Sequence, residues 1–216
     1  MINAKIISNF IRYLIMCGHV EIGEQKDLNI VKRDGTSYKF KTNSEGNPGS
    51  MLPVVTDAMP GKVQQFRWGL LTIDDNRVHS KNKHARIESL FLSPLWNDLV
   101  GHKHCVVRVQ AYFEYNAEQG ITYKVERADA APFYIAGLWD IWIDIKTNVL
   151  IPTFAMITMQ PNSAISEIHD RMPAIIEREN IKLWINAHLN GADRVNFLRT
   201  HPCASENMKI TIHKRD

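Results

Sequence analysis

A chain of 216 residues with 44% apolar side chains is long enough to bury one good core, and domain-size statistics favour a single domain over two. A formal charge of +3 and an isoelectric point near 8.7 permit contact with phosphates but fall well short of a compact nucleic-acid-binding module. Three widely separated cysteines, Cys17, Cys105 and Cys203, indicate neither a disulfide framework nor a zinc knuckle, and no run approaches the roughly 18 apolar residues of a membrane span, so a soluble protein of a reducing compartment is expected.

The first sixteen residues have an apolar character with Lys5 and Arg12 interspersed, but Asn9 and Arg12 break the run too early for a secretory h-region. Met16 before Cys17 is also too large for a lipoprotein cleavage site. Two readings stay open. Ile6, Ile7, Phe10, Ile11 and Leu14 fit one face of a short amphipathic helix. Alternatively translation starts at Met16, and removal of that methionine exposes Cys17.

Residues 23–50 are polar and turn-rich, with Gly23, Asp34-Gly35, Gly46, Pro48 and Gly49, and read as loops around one short strand near Ser37 to Lys41. Leu52 to Val55 and Lys62 to Leu71 read as strands, Thr72 to Lys83 as a loop. Ala85 to Leu92 is compatible with a helix that Ser93-Pro94 stops or restarts. From His104 to Tyr115 the alternation is strict: Cys105, Val107, Val109, Ala111, Phe113 and Tyr115 share one face, and Arg108, Gln110, Tyr112 and Glu114 share a polar one. Ala131 to Asp144 and Ile151 to Met159 read as further strands, the first buried on both faces. A short helix after Pro161-Asn162 runs to Ile168, and a second spans Arg178 to Leu189 with Ile181, Trp184, Ile185 and Leu189 on one side. These elements predict an α+β fold with a curved, barrel-like, mainly antiparallel sheet flanked by helices.

Met16-Cys17-Gly18, Arg67-Trp68-Gly69-Leu70 with His84-Ala85-Arg86-Ile87-Glu88-Ser89, Tyr112-Phe113-Glu114-Tyr115, and Ile168-His169-Asp170-Arg171-Met172-Pro173 carry a further signal through their order and spacing. Together with Ala136-Gly137-Leu138-Trp139 and Phe154 to Thr158, this set resembles the SOS response-associated peptidase family. The likeness extends from Cys17 to about Leu189. It departs from the family in three places: His19 stands for an arginine, His84 for an asparagine, and sixteen residues precede the cysteine. A domain spanning 17–216 with a 1–16 leader or misassigned start is therefore expected.

The resemblance implies an abasic-site sensor that binds single-stranded DNA, forms a covalent crosslink and processes its own N-terminus. It further implies a cytoplasmic, nucleoid-associated monomer with no small-molecule cofactor, no metal and no membrane partner. The α-amine of an N-terminal cysteine condenses with the aldehyde of the opened sugar, and the thiol of the same residue closes a five-membered thiazolidine. Cys17 matches the nucleophile, Glu114 the catalytic carboxylate and His169 the proton-transferring histidine. His84 occupies the position of an asparagine that helps hold the reacting end, although Asn82 offers another amide nearby. Arg86 matches a phosphate-binding arginine, with an ion pair to Glu88 as the alternative. Arg67 and Trp68 fit a phosphate contact and a base-stacking platform, Trp68 equally a core residue, and His19 stands where a phosphate contact is expected. Cys105 and Cys203 read as small buried hydrophobes. A non-catalytic DNA-binding relative is the alternative, and a general cysteine peptidase using Cys17, His169 and Glu114 fits less well.

Overall fold

The structure is a computed structural model and describes residues 18–23, 30–31, 37–38, 45–72, 82–186 and 188–214, with the backbone alone for 30–31 and 37–38. Cys17 and the segment before it lie outside the described residues, as do both readings of that segment. In chain order the strands are β1 (His19–Glu21), β2 (Ile30–Val31), β3 (Ser37–Tyr38), β4 (Glu45–Gly46), β5 (Met51–Thr56), β6 (Met59–Trp68), β7 (His84–Arg86) and β8 (His104–Val109). They continue as β9 (Ala111–Asn116), β10 (Ile121–Arg127), β11 (Phe133–Asp144), β12 (Val149–Met159), β13 (Met172–Pro173), β14 (Ile175–Ile176) and β15 (Met208–His213).

The pairings β12–β11–β8–β5–β6 are antiparallel, and β6 returns to β12 in parallel through Thr153 opposite Arg67 and Phe154 opposite Trp68, which closes a five-stranded barrel. The register stacks apolar residues across neighbouring strands: Leu52 faces Phe66, and Val54 faces Val107, which faces Ile135; all five are buried. Close approach of strands dictates one glycine. A Cβ on Gly137 would lie 2.8 Å from the Ala155 carbonyl oxygen and 2.9 Å from the Cys105 sulfur.

A second sheet of five strands runs β15–β10–β9–β1–β4, antiparallel throughout. The continuous alternation from His104 to Tyr115 is in fact shared between the two sheets. Its first half is barrel strand β8, its second half is β9, and the change falls at Gln110, whose N–H donates to the Glu21 carbonyl at 2.6 Å. The alternation of faces survives the change, yet the polar face does not stay polar in its surroundings. Tyr112, Glu114 and Asn116 point into the protein and are buried, whereas Tyr115 is exposed.

Three helical expectations change. Ala85 to Leu92 is no helix: His84–Arg86 pairs in parallel with β12 and only Ile87–Ser89 forms a 3-10 turn, while the helix starts at Pro94 and runs to Val100. Proline at the first helical turn needs no amide partner, so Ser93-Pro94 restarts rather than stops. The helix before Ile168 spans only Ser163–Ser166. The segment from Arg178 is a 3-10 turn followed by Ile181–Trp184, shorter than its periodicity predicts. A helix at Gly191–Thr200 and the edge strand β15 complete the chain.

Candidate active site

β1 enters the second sheet antiparallel to β9, with His19 opposite Phe113 and Val20 opposite Tyr112. This direction brings the start of β1 to the same end of the sheet as Glu114. A pocket of about 650 Å³ opens there, lined by Gly18, His19, Asn47, Glu114, Thr122 and His213 among others. Glu114 is 0% exposed, so its carboxyl is withdrawn from bulk water instead of lying on a solvated strand face, which corrects the polar-face expectation.

His169 follows the short helix that Asn162 caps by accepting the Ile165 N–H at 3.1 Å. One residue earlier, the Ile168 carbonyl accepts a hydrogen bond from the side-chain amide of Asn116 at 3.0 Å. Asn116 lies two residues beyond Glu114 on the same strand face, so this bond ties the His169 loop to the Glu114 strand. The His169 side chain is 9% exposed; its Nδ1 accepts the Arg171 backbone N–H at 3.0 Å and has the Asp170 carboxylate at the same distance. A ring whose Nδ1 accepts an amide hydrogen carries its own proton on Nε2.

β7 lies along β12, with His84 opposite Met156 and Arg86 opposite Thr158. The His84 ring sits 6.0 Å from Trp68, edge to face. The Asn82 amide donates to the Leu70 carbonyl at 3.4 Å, within the bridge that Asn82 and Leu70 form. Arg86 is exposed, and Glu88, its alternative ion-pair partner, is engaged elsewhere. Arg171 holds the Glu88 carboxylate with two parallel bonds of 2.7 and 2.9 Å and spends one further N–H on the Thr158 carbonyl at 2.7 Å.

Two of the three remaining DNA-contact candidates, Trp68 and Arg67, are inward-facing. Trp68 is 0% exposed and donates its indole N–H to the Lys83 carbonyl at 3.0 Å, so its ring belongs to the core and offers no face to a base. Arg67 is also buried, reaching the Gly69 carbonyl at 3.5 Å, and burial pushes its pKa down. His19, by contrast, lies in the pocket. It stacks on Phe113 with ring centroids 4.2 Å apart, and its Nε2 meets Glu45 at 2.7 Å. That carboxylate offsets positive charge at a position where a phosphate contact is expected.

Burial raises the thiol pKa of Cys105 well above its ordinary value and pushes that of Cys203 up to about 12, so both stay protonated near neutral pH and neither competes as a nucleophile. Sequence reasoning missed Asn116, whose signal is its two-residue spacing from Glu114. It missed the long-range Glu88–Arg171 pair and gave no role to His213, whose ring packs edge-on against Phe113 at 4.7 Å. No local pattern announces either.

The chain resembles proteins of known name and structure over most of its length. It is 29% identical over 195 residues to "Abasic site processing protein YoqW" of Bacillus subtilis, covering 85% of this chain and 86% of that protein. It is 29% identical over 154 residues to "Abasic site processing protein YobE" of the same organism, covering 69% of this chain and 70% of that one. A crystal structure of a protein from Bacteroides thetaiotaomicron superposes with a TM-score of 0.76 at 26% identity, over 93% of each chain. The family model described as SOS response associated peptidase (SRAP) matches residues 16–214, and this chain belongs to that family.

Proposed function

We propose that this protein processes abasic sites in DNA, binding single strands and trapping the opened sugar as a thiazolidine on Cys17. In this reading residues 17–216 form the working domain, and the segment before Cys17 is removed or never translated. The observation that carries it is that Gly18 and Glu114 share one pocket. Gly18, the residue bonded to Cys17, lines the same cavity as the buried Glu114, and Asn116 ties the His169 loop to the Glu114 strand. A trans peptide keeps consecutive Cα atoms about 3.8 Å apart, which is why this reading gives the nucleophile's role to the residue next to Gly18.

The chemistry divides among these groups. The amine adds to the C1′ aldehyde and loses water to give an imine; the thiol then adds to the imine carbon, and the nitrogen takes up the proton. One water leaves and no redox partner is needed. Glu114, shielded from solvent, is placed to give and retrieve protons at the sugar oxygen and the amine, and the Nε2–H of His169 serves ring opening. Arg86, exposed on β7, supplies the phosphate contact. Self-release of the leader by the same pocket would make the protein a peptidase towards its own chain.

The test uses protein beginning at Cys17 with single-stranded DNA containing one abasic site. A denaturation-resistant adduct is expected, absent in Cys17→Ala and slowed on the order of 10²–10⁴-fold in Glu114→Gln, the range a general acid–base supplies. An equal yield from Cys17→Ala would assign the bond to another nucleophile. Normal binding without any adduct would make the protein a non-covalent binder of damaged strands.

A further inference from the structure

We propose that Glu88 is a positioning residue for His169, acting through Arg171 to keep the imidazole proton on Nε2. The proposal rests on the reading of His169 as a proton-transfer group, and it adds a residue outside the pocket that decides which ring nitrogen carries the proton.

Two neighbours compete for His169 Nδ1. The Arg171 backbone N–H, at 3.0 Å, requires a bare lone pair there. The Asp170 carboxylate, also at 3.0 Å, would instead accept a proton from Nδ1. Asp170 is 71% exposed and keeps its own water, so its pull is weak as long as the amide of Arg171 stays in place.

That amide is fixed by its own side chain. The Arg171 side chain is 7% exposed, and its guanidinium is gripped by both Glu88 oxygens and by the Thr158 carbonyl. Thr158 pairs with Arg86 in the β12–β7 register, and Glu88 lies in the turn directly after β7. The clamp therefore joins three segments: β12, the turn after β7 and the His169 loop. Burial raises the Glu88 carboxyl, but its hydrogen bonds with Arg171 and its other partners outweigh this and hold it below the usual range, so it remains ionised in the pair. Without Glu88, Arg171 would be a buried cation lacking its counter-charge. Such a group relocates towards water, and its backbone amide moves with it. Nδ1 would then be free to take a proton shared with Asp170, leaving Nε2 without the hydrogen it must donate.

The experiment reads the His169 ring nitrogens by ¹⁵N NMR of histidine-labelled protein, with His169→Gln used for assignment, alongside adduct rate and single-strand affinity. Wild type should show the Nε2–H form. Glu88→Ala should shift the ring towards the Nδ1–H form and slow adduct formation by on the order of 10- to 100-fold, the scale of a small misplacement of a reacting group. Affinity should stay within about twofold, as expected of a residue that acts on the chemical step alone. Glu88→Gln, which keeps one acceptor oxygen, should be intermediate, and it decides the matter if Glu88→Ala does not fold. Asp170→Asn in the Glu88→Ala background should restore the Nε2–H form by removing the competing acceptor. An unchanged ring in folded Glu88 variants overturns the proposal, as does lost affinity with no change at the ring. Failure of wild-type protein to form any adduct would refute the proposed function, while the nitrogen spectra would still decide the clamp.

Discussion

The Asn116 side chain donates to the Ile168 carbonyl at 3.0 Å while its oxygen accepts the N–H groups of Glu118 and Gln119, both at 3.0 Å. One buried amide therefore sets the β9–β10 turn and the approach of the His169 loop to the Glu114 strand. Its two ends can be separated by substitution. Asn116→Asp keeps the acceptor for the turn but loses the donor to Ile168, whereas Asn116→Ala loses both. We expect Asn116→Ala to lower unfolding free energy by about 1–3 kcal/mol, the cost of leaving buried groups unpaired. Asn116→Asp should retain the turn yet slow the chemistry, because the loop is no longer held. Urea unfolding and adduct rates measured together check this; equal rates for wild type and Asn116→Asp would show that the bridge does not position His169.

Arg86 makes no hydrogen bond or ion pair through its guanidinium among the described residues, and its presumed partner Glu88 is held by Arg171. An exposed cation kept out of local pairing is suited to a phosphate. Arg86→Ala should leave stability within about 0.5 kcal/mol and reduce the salt slope of single-strand binding by about one phosphate contact. Fluorescence anisotropy at several salt concentrations measures the slope. An unchanged slope would remove Arg86 from the DNA interface.

What was legible in the sequence was local. The alternation through His104–Tyr115 reads as one strand where the structure has two, because a period of two continues unbroken when a chain passes from one sheet to another and the break at Gln110 leaves no trace in it. For the same reason the alternation placed Glu114 opposite Phe113 correctly and misjudged its burial. Polarity of a face says nothing about what will cover it. Ala85 to Leu92 failed differently: its spacing suited a helix, but pairing of His84–Arg86 with the distant β12 prevailed. The helix at Gly191–Thr200 escaped notice because its inward face carries Arg194, a fully buried charge satisfied by Asp57 and the Leu189 and Trp184 carbonyls. The motif residues are visible in the sequence because they are contiguous, whereas the Asn116–Ile168 bond and the Glu88–Arg171 pair are contacts across 52 and 83 positions.

His104 gives the protein an acid-sensitive point away from the pocket. Its ring is fully buried against Trp184 at 4.2 Å, Nε2 bonds to the Val100 carbonyl, and Nδ1 is buried without a partner. Burial, with the charges of Arg194 and His102, lowers its pKa from the ordinary 6.5 to about 3, against a partly opposing bond to Val100. The unfolded chain therefore binds a proton at this residue that the folded protein refuses. Stability from this group is fully present above pH 6.5 and is lost as pH falls towards about 3. Asp57 faces the same cluster, accepting the His104 backbone N–H at 3.1 Å. His104→Gln, which keeps a donor for Val100 but cannot titrate, should be less stable than wild type at pH 7 and lose less stability between pH 6.5 and 4. Parallel loss in both proteins, followed by urea unfolding across that range, would assign the acid sensitivity to other groups.

A free α-amine at Cys17 is the most stringent requirement of the proposed chemistry. While Cys17 is joined to Met16, its nitrogen is an amide whose lone pair is delocalised into the carbonyl, and an amide does not form an imine with an aldehyde. The thiol alone would give a hemithioacetal, which reverses readily because no second bond closes the ring. Glu114 and His169 cannot compensate, since they move protons and do not supply the missing nucleophile. Protein retaining Met1–Met16 should thus bind single strands and yield no hydrolysis-stable adduct, whereas protein beginning at Cys17 should do both. Intact mass must establish each N-terminus before the comparison, because self-release of the leader would convert one sample into the other. Equal yields of stable adduct from both forms would refute the thiazolidine. Loss of binding together with loss of adduct in the longer form would mean that the leader obstructs the groove, and a chemically blocked amine on protein beginning at Cys17 would then be the sample that decides, since it removes the nucleophile and leaves the groove open.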